Sequence, residues 1–337
     1  MKAYRLTRPK RTWRLTNVPT PSPGPMEVLV RVRASGICGA DLEISRGEYP
    51  LARFPLIPGH EVAGIVAEVG SKVSGFTRGE HVGVGWLQGS CGNCTFCISG
   101  DENLCSAQRA TGVNVDGGHA EFLLTHQEYL HRLPENMDFE HAAAMMCPGM
   151  TAFSALKLAK LRPGGRVGIL GLGGVGSLAV QFASAMGAEI AVVTRGNKEK
   201  IQLARQLGAH HVLASDKKNP GELLQQLGGV EVILSTTVSA RYVSESIVGL
   251  KPNGVMVWIG VPHEPIPVHA DPMCAGRRRI IGLPSGGRVD VREALSFAAR
   301  AGIKPMVETY PLPEAPRAIE RMQNGLLRFR AILVPEP

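Results

Sequence analysis

The sequence predicts an α/β protein in two parts, an irregular β-barrel and a doubly wound parallel sheet. Three observations predict it. Residues 1–135 carry short, alternating strand-like runs broken by glycine. From Arg166 onward, apolar strand runs alternate with helical ones. A glycine-rich turn, Gly171 to Gly176, separates the first of those strands from its helix. With 337 residues, 44% hydrophobic and 20% charged, the chain is long enough for two cores.

Each element has its own signal. Glu27-Val-Leu-Val-Arg-Val-Arg-Ala alternates apolar and polar residues, as a half-buried strand does. Thr20-Pro-Ser-Pro-Gly-Pro before it reads as an extended connector. Cys38 follows the strand on a short turn, and His60 opens a second strand-like run, Glu61 to Gly70. After Asp116-Gly-Gly, the run His119 to Leu124 reads as a strand. Asp138 is placed to cap a helix reaching Cys147, and Thr151 to Ala159 is helical. The composition changes near Cys147, which marks a domain boundary. Then come a buried strand, Val167 to Leu170, a helix from Ser177 to Met186, and the strand Glu189–Thr194. A helix Lys198–Leu207 and strands at Val230–Ser235 and Val255–Gly260 continue the sheet. Helices over Val291–Ala301 and Pro316–Asn324, then a strand Ala331–Val334, close the chain.

The net charge is +8, but the basic residues are dispersed, and Arg277-Arg278-Arg279 is the longest run. This suits a basic surface with an anionic cofactor better than a nucleic-acid interface. No run has a signal peptide's order of regions, and none is long and apolar enough to span a bilayer. A cytoplasmic location is expected.

Four of the seven cysteines cluster as Cys91-Gly-Asn-Cys94-Thr-Phe-Cys97 with Cys105 beyond. Four thiolates at this spacing can close around one structural zinc, leaving no position for chemistry. Cys38 and His60 form a different set, each near a carboxylate, Asp41 and Glu61. A thiolate and an imidazole suit zinc, and a carboxylate beside a ligating histidine fixes its tautomer. Cys147 is the candidate third ligand, which leaves one coordination position open. Cys274 is left over and reads as a small buried hydrophobe.

Gly171, Gly173 and Gly176 follow a strand and precede an apolar helix, the context in which G-x-G-x-x-G binds a dinucleotide. The glycines admit a pyrophosphate, and the helix N-terminus supplies N–H donors. An NAD site wants a carboxylate at the end of the next strand. This chain has Thr194-Arg195-Gly196-Asn197-Lys198 and then Lys200, groups that suit a 2′-phosphate. NADP(H) is therefore expected over NAD(H). Lys198 and Lys200 alone would fit a solvated helix face equally well.

Five motifs, in order, carry a resemblance that spans essentially the whole chain. They are Gly36-Ile-Cys38-Gly-Ala-Asp41, Pro58-Gly-His60-Glu61, the run from Trp86 to Cys105, Cys147-Pro-Gly-Met-Thr151, and Gly171-Leu-Gly-Gly-Val-Gly176. The chain resembles the zinc-dependent alcohol dehydrogenases of the medium-chain dehydrogenase/reductase superfamily, and from Trp86 to Cys105 their tetrameric microbial branch. The resemblance implies a GroES-like catalytic domain, residues 1–147 and 286–337, with a Rossmann domain, 148–285, inserted. It implies two zinc ions per chain, a catalytic one on Cys38, His60 and Cys147 and a structural one on Cys91, Cys94, Cys97 and Cys105. Asp41 would orient His60, and Glu61 would lie behind the metal. Thr151 would adjoin the nicotinamide, Val261 would contact the cofactor, Gly174 and Val175 would belong to the cofactor-binding turn, and Arg330 would contact the pyrophosphate. Trp86 would line the pocket and favour slender alcohols, aldehydes or ketones. A homo-oligomer, tetramer or dimer, is also implied. Zinc would act on the substrate oxygen while the nicotinamide exchanges hydride.

One departure lies beside the first ligand. The family usually carries Ser or Thr two residues after it, and often His three further on, to pass a proton to solvent. This chain has Ala40 and Glu43 there. Glu43 or a water could take the proton, the enzyme could be slow on simple alcohols, or the reaction could need no proton at the zinc-bound oxygen, as in conjugate reduction of an enal. Polyol dehydrogenation and a catalytically idle nicotinamide-binding protein are the other readings. Trp86 and Cys147 argue against the first of these, and the intact ligand set against the second.

Overall fold

The computed structural model describes residues 1–10, 13–195, 198–216 and 218–336. They form two compact units. One comprises Met1–Met150, Ser285–Arg300 and the chain from Lys304 onward; the other comprises Thr151–Pro284 and Ala301–Ile303. Among the described residues no helix is long and apolar enough to cross a membrane.

The first unit opens with β1 (Lys2–Tyr4), β2 (Leu15–Asn17), β3 (Glu27–Ile37) and α1 (Gly39–Arg46). It continues with β4 (Val62–Val69), β5 (His81–Val84), β6 (Leu87–Gly89), α2 (Thr95–Ser99), β7 (Arg109–Ala110), β8 (Phe122–His126), β9 (His131–Arg132) and α3 (Phe139–Ala144). A π-helical turn, Met145–Gly149, follows α3.

The second unit holds α4 (Met150–Leu158), which starts at the last residue of the first, then β10 (Arg166–Leu170), α5 (Gly174–Ala185), β11 (Glu189–Thr194), α6 (Lys198–Gln206) and β12 (His211–Ala214). After these come α7 (Pro220–Gln225), β13 (Val230–Ser235), α8 (Ala240–Ser246), β14 (Leu250–Trp258), α9 (Ala270–Gly276) and β15 (Arg279–Gly282). The chain then returns to the first unit with α10 (Arg288–Ala301), β16 (Val307–Pro311), α11 (Ala315–Gln323) and β17 (Arg330–Val334).

In the first unit a seven-stranded sheet runs β16-β17-β3-β4-β5-β9, with β8 also on β3. β3 divides its edge: Glu27–Arg31 pairs with β8, and Ser35–Ile37 pairs with β17. Register shifts between β3 and β4 at Leu29/Val30 and Val32/Ala34 bend the pair into a barrel. Val28, Val30, Val32, Val62, Val66, Val82, Val84, Leu123 and Leu130 fill it. Each such side chain, fully buried, contributes roughly 1.5–3 kcal/mol.

In the second unit the sheet is parallel and ordered β12-β11-β10-β13-β14-β15. Covered on both faces, its central strands are apolar almost throughout: every residue of β11 after Glu189 is buried. The strand order reverses direction between β10 and β13, where doubly wound sheets bind ligands.

Several local expectations are corrected. Cys38 is not on a plain turn but is the N-cap of α1. Asp41, three residues on, accepts the Cys38 N–H at 2.8 Å and so starts a helix. α5 begins at Gly174, not Ser177, because Gly173 is already its cap. The expected strand at His119 begins at Phe122 instead, since His119 bonds through its backbone to Pro58 and Tyr4. The helix expected to reach Cys147 ends at Ala144 and gives way to the π turn that holds Pro148. Cys274 is exposed, not buried, because Met273 is the residue of α9 that packs on the core.

Candidate active site and metal centres

Strand ends assemble the first site within the first unit. Cys38 leaves β3; His60 and Glu61 enter β4, with Gly36 N–H bonded to Glu61 O at 2.8 Å. Cys147 lies in the π turn. Arg330 opens β17, whose Ala331 is paired with Ile37. One potential ligand atom from each of Cys38, His60, Glu61 and Cys147 lies within 4.8 Å of the others.

Asp41 is fully buried and aligns the imidazole. Its Oδ1 is 3.3 Å from His60 Nδ1 and accepts the Gly59 N–H at 3.2 Å. Burial opposes its charge, but His60 and His119 outweigh it and hold the carboxyl below the usual range. Arg330 is buried, contrary to the surface arginine its type suggests. Its Nη1 donates to Ile37 O at 2.9 Å and stands 3.4 Å from Glu61 Oε1. Burial, with the charges of Cys38 and Asp41, pushes Glu61 up to about 8 although Arg330 opposes this.

The donor set fits a zinc ion. Cys147 donates to Cys38, which drives the Cys38 thiol well below its ordinary pKa; the same bond, with burial, drives Cys147 well above. Both ring nitrogens of His60 and both carboxylate oxygens of Glu61 are buried without a hydrogen-bond partner. Orphaned polar atoms cost roughly 1–3 kcal/mol each. A divalent cation would displace the shared thiol proton and give His60 Nε2 a partner.

An apolar wall adjoins this cluster. Trp86 packs edge-on against His60 with ring centroids 5.0 Å apart, and Tyr49 packs on Trp86 at 5.5 Å. Ala40, Tyr49, Ala52, Phe54 and Trp86 are half-buried over Ile44, Leu56, Ala110 and Val113. Glu43, one turn of α1 from Ala40, is half-buried. Burial raises the Tyr49 pKa, and the charge of Glu43 adds to this. Tyr49 and Phe54 were not singled out from sequence; the aromatic residues in the irregular stretch after α1 were the available signal.

The four-cysteine lobe is a second centre. Its four sulfurs lie within 4.8 Å of one another. Cys94 Sγ and Cys97 Sγ are 3.5 Å apart, and Cys91 Sγ and Cys97 Sγ 3.9 Å. Sulfurs about 2.3 Å from a tetrahedral zinc stand about 3.8 Å apart, so this spacing also fits the metal. Backbone N–H groups of Asn93 and Cys94 bring the Cys91 thiol down to about 6, close to the thiolate that zinc requires.

In the second unit the glycine turn lies at the reversal of strand order. Gly171 has φ +91°, Gly173 caps α5, and Gly174, Val175 and Gly176 form its first turn. A Cβ on Gly176 would sit 2.1 Å from Gly171 O, so only glycine allows the tight return. Thr236 Oγ1 donates to Leu170 O at 2.8 Å and pins the turn to β13. Thr194 ends β11, Arg195 follows exposed, and Lys200 lies in the first turn of α6. Gly196 and Asn197 lie outside the described residues. Ser215 and Tyr242, also missed from sequence, share a hydroxyl–hydroxyl bond there, and the charge of Arg195 reaches Tyr242. Thr151 is buried in the first turn of α4, and Val261 is exposed beyond β14.

Comparison with known proteins agrees with this geometry. Residues 24–135 match the alcohol dehydrogenase GroES-like domain, and residues 174–300 the zinc-binding dehydrogenase family. An alcohol dehydrogenase of Geobacillus stearothermophilus is 38% identical over 335 residues, 99% of each chain. A probable cinnamyl alcohol dehydrogenase of Pinus taeda is 37% identical over 318 residues, 92% of this chain and 88% of that one. The solved CAD from Helicobacter pylori complexed with NADP(H) superposes with a TM-score of 0.89 at 28% identity, covering 99% of this chain and 97% of that one. With two thiols, an imidazole and a carboxylate converging at one site and a dinucleotide turn in the other unit, the chain belongs to the zinc-dependent alcohol dehydrogenases of the medium-chain dehydrogenase/reductase superfamily.

Proposed function

We propose that this enzyme interconverts small, slender alcohols with their aldehydes or ketones and prefers NADP(H). The observation that carries the chemistry is the cluster of Cys38, His60, Glu61 and Cys147, in which His60 Nε2 is buried with no hydrogen-bond partner among the described residues. When bound, zinc supplies Lewis acidity at the substrate oxygen, and the nicotinamide supplies or takes the hydride.

The chain's own residues do the rest. Cys38, His60 and Cys147 hold the metal and leave one position open. Asp41 keeps His60 in its ligating form. Glu61, held by Arg330, is a reserve carboxylate behind the metal. Trp86 and Tyr49 limit the width of the substrate. In the second unit the turn from Gly171 to Gly176 takes the pyrophosphate, and Thr194, Arg195 and Lys200 take the 2′-phosphate. Thr151 and Val261 serve the nicotinamide end. Arg330 Nη1 is committed to Ile37 O, so its remaining N–H groups are those available to a pyrophosphate. Cys91, Cys94, Cys97 and Cys105 hold structural zinc. Cysteines kept as metal thiolates rather than disulfides suit the reducing cytoplasm. The unpaired edge of β15 suits assembly with further copies of the chain, as a dimer or tetramer.

Ala40 favours a second reading. A methyl group relays no proton to or from the substrate oxygen, which suits conjugate reduction of an enal, where hydride goes to one alkene carbon and a proton from water to the other.

Metal analysis and steady-state kinetics test these proposals together. Two zinc ions per chain are expected, with His60→Ala losing one of them and turnover. KM for NADPH should be about tenfold or more below that for NADH, and Arg195→Ser should remove most of the difference. An NADH preference would overturn the cofactor reading. Little change in alcohol turnover is expected for Ala40→Ser; a rise by orders of magnitude would favour the enal reaction.

A further inference from the structure

The imidazole of His119 is a buried polar group that the proposed chemistry does not use. It is 0% exposed and lies beside the first metal centre, with the Trp13 ring 5.3 Å away. Its Nδ1 is 2.8 Å from Ser35 Oγ. Its Nε2 has no hydrogen-bond partner among the described residues and stands 3.7 Å from Asp41 Oδ2. A Cβ on Gly59 would come within 2.6 Å of His119 Nδ1, so glycine there lets the ring lie against the ligand loop.

The tautomer follows from the surroundings. If Nδ1 carried the only proton, the bare lone pair of Nε2 would face a carboxylate in a site closed to water. The Ser35 hydroxyl would then have no acceptor. If Ser35 donates to Nδ1, the hydroxyl is satisfied and the nitrogen 3.7 Å from Asp41 Oδ2 carries the proton. The second arrangement leaves no repulsive pair.

Asp41 therefore faces N–H groups on both oxygens. Oδ1 faces Gly59 N at 3.2 Å and His60 Nδ1 at 3.3 Å; Oδ2 faces Cys38 N at 2.8 Å and His119 Nε2 at 3.7 Å. With Asp41 Oδ1 3.3 Å from Nδ1, the His60 proton belongs on Nδ1, which leaves Nε2 a lone pair, the form in which imidazole binds a metal. We propose that His119 is a positioning residue: through Asp41 it holds His60 in the ligating orientation and so governs retention of the active-site zinc. This rests on the reading that Cys38, His60 and Cys147 hold that zinc.

The test is zinc release from the purified holoenzyme to a colorimetric chelator, with the absorption bands of the cobalt-substituted protein as a second readout. Partners of a ligating histidine are worth about 10–100-fold in metal affinity, and His119 acts one step further out. His119→Phe, which keeps a ring but has no donor, should speed loss of one zinc about tenfold and shift the cobalt bands. His119→Gln, which restores an N–H, should recover most of the retention. Release from the four-cysteine lobe should not change. Unchanged release and bands in His119→Phe would overturn the inference while leaving the zinc reading intact. If His119→Phe does not fold, Ser35→Ala should speed release in the same direction, and no change there overturns the inference. A wild-type protein with a single zinc that His60→Ala does not release would overturn the zinc reading itself, and the inference with it.

Discussion

His131 shows how one sealed side chain sets a pH response. It lies in β9, is 3% exposed, and its Nδ1 has no hydrogen-bond partner. Arg292, Arg288 and Glu102 are the charged groups around it. Burial first, then the two arginines, push its pKa down to about 3, with Glu102 opposing. In the unfolded chain it returns to about 6.5. Between these values the unfolded state binds the extra proton. Stability from this residue is therefore full above about pH 6.5 and falls as pH drops towards 3, by about 1.4 kcal/mol per unit. His131→Leu should have a flatter acid limb than wild type in urea melts between pH 7 and 4; parallel curves would refute this. At this scale the two clusters of potential ligand residues were legible, because thiols and imidazoles at ligand spacings have few other uses. The supporting residues were not. Ser35 and His119 are 84 positions apart, and Tyr49 carries no motif; only folding reveals what these side chains touch.

The four-cysteine lobe illustrates an element that its own packing does not hold. α2 has five residues and buries none of them. A helix that short is marginal in water, so the sulfurs must hold it. A second tie comes from Glu102, almost fully buried, whose Oε1 accepts from Arg288 Nε of α10 at 2.8 Å. Cys97→Ser should open this lobe. A loss of even about 2 kcal/mol would lower Tm by roughly 4–8 °C, and limited proteolysis should cut first between residues 91 and 105. Cleavage starting elsewhere would show that packing, not metal, holds the lobe. The long, periodic elements were legible from sequence: β11 and β13 span the expected residues. α1 was not, since eight residues make too short a stripe to read. Its signal was Asp41, three positions after Cys38, which had been read only as a ligand's partner. The π turn had no signal beyond Pro148.

For the whole molecule, the parallel sheet followed from alternating runs of β and α. The barrel's closure did not, because β16 and β17 lie far along the chain from β3, whose end they flank. That pairing has a consequence for the order of events during synthesis. The second unit is nearly continuous, Thr151–Pro284 plus Ala301–Ile303, whereas the first needs β17. The strand that ends at Cys38 is translated before the second unit, yet the edge at its end is filled only by β17, translated after it. Domains fold as units when their chain is available, so the middle of this protein should fold on the ribosome before its beginning does. Stalled nascent chains extending just past residue 303 should contain a protease-resistant second unit and a digestible N-terminal stretch. If that stretch already resists, the barrel closes without its last strand. Otherwise the second unit is already formed when β17 emerges, and the unit that carries both cysteine clusters is completed only afterwards.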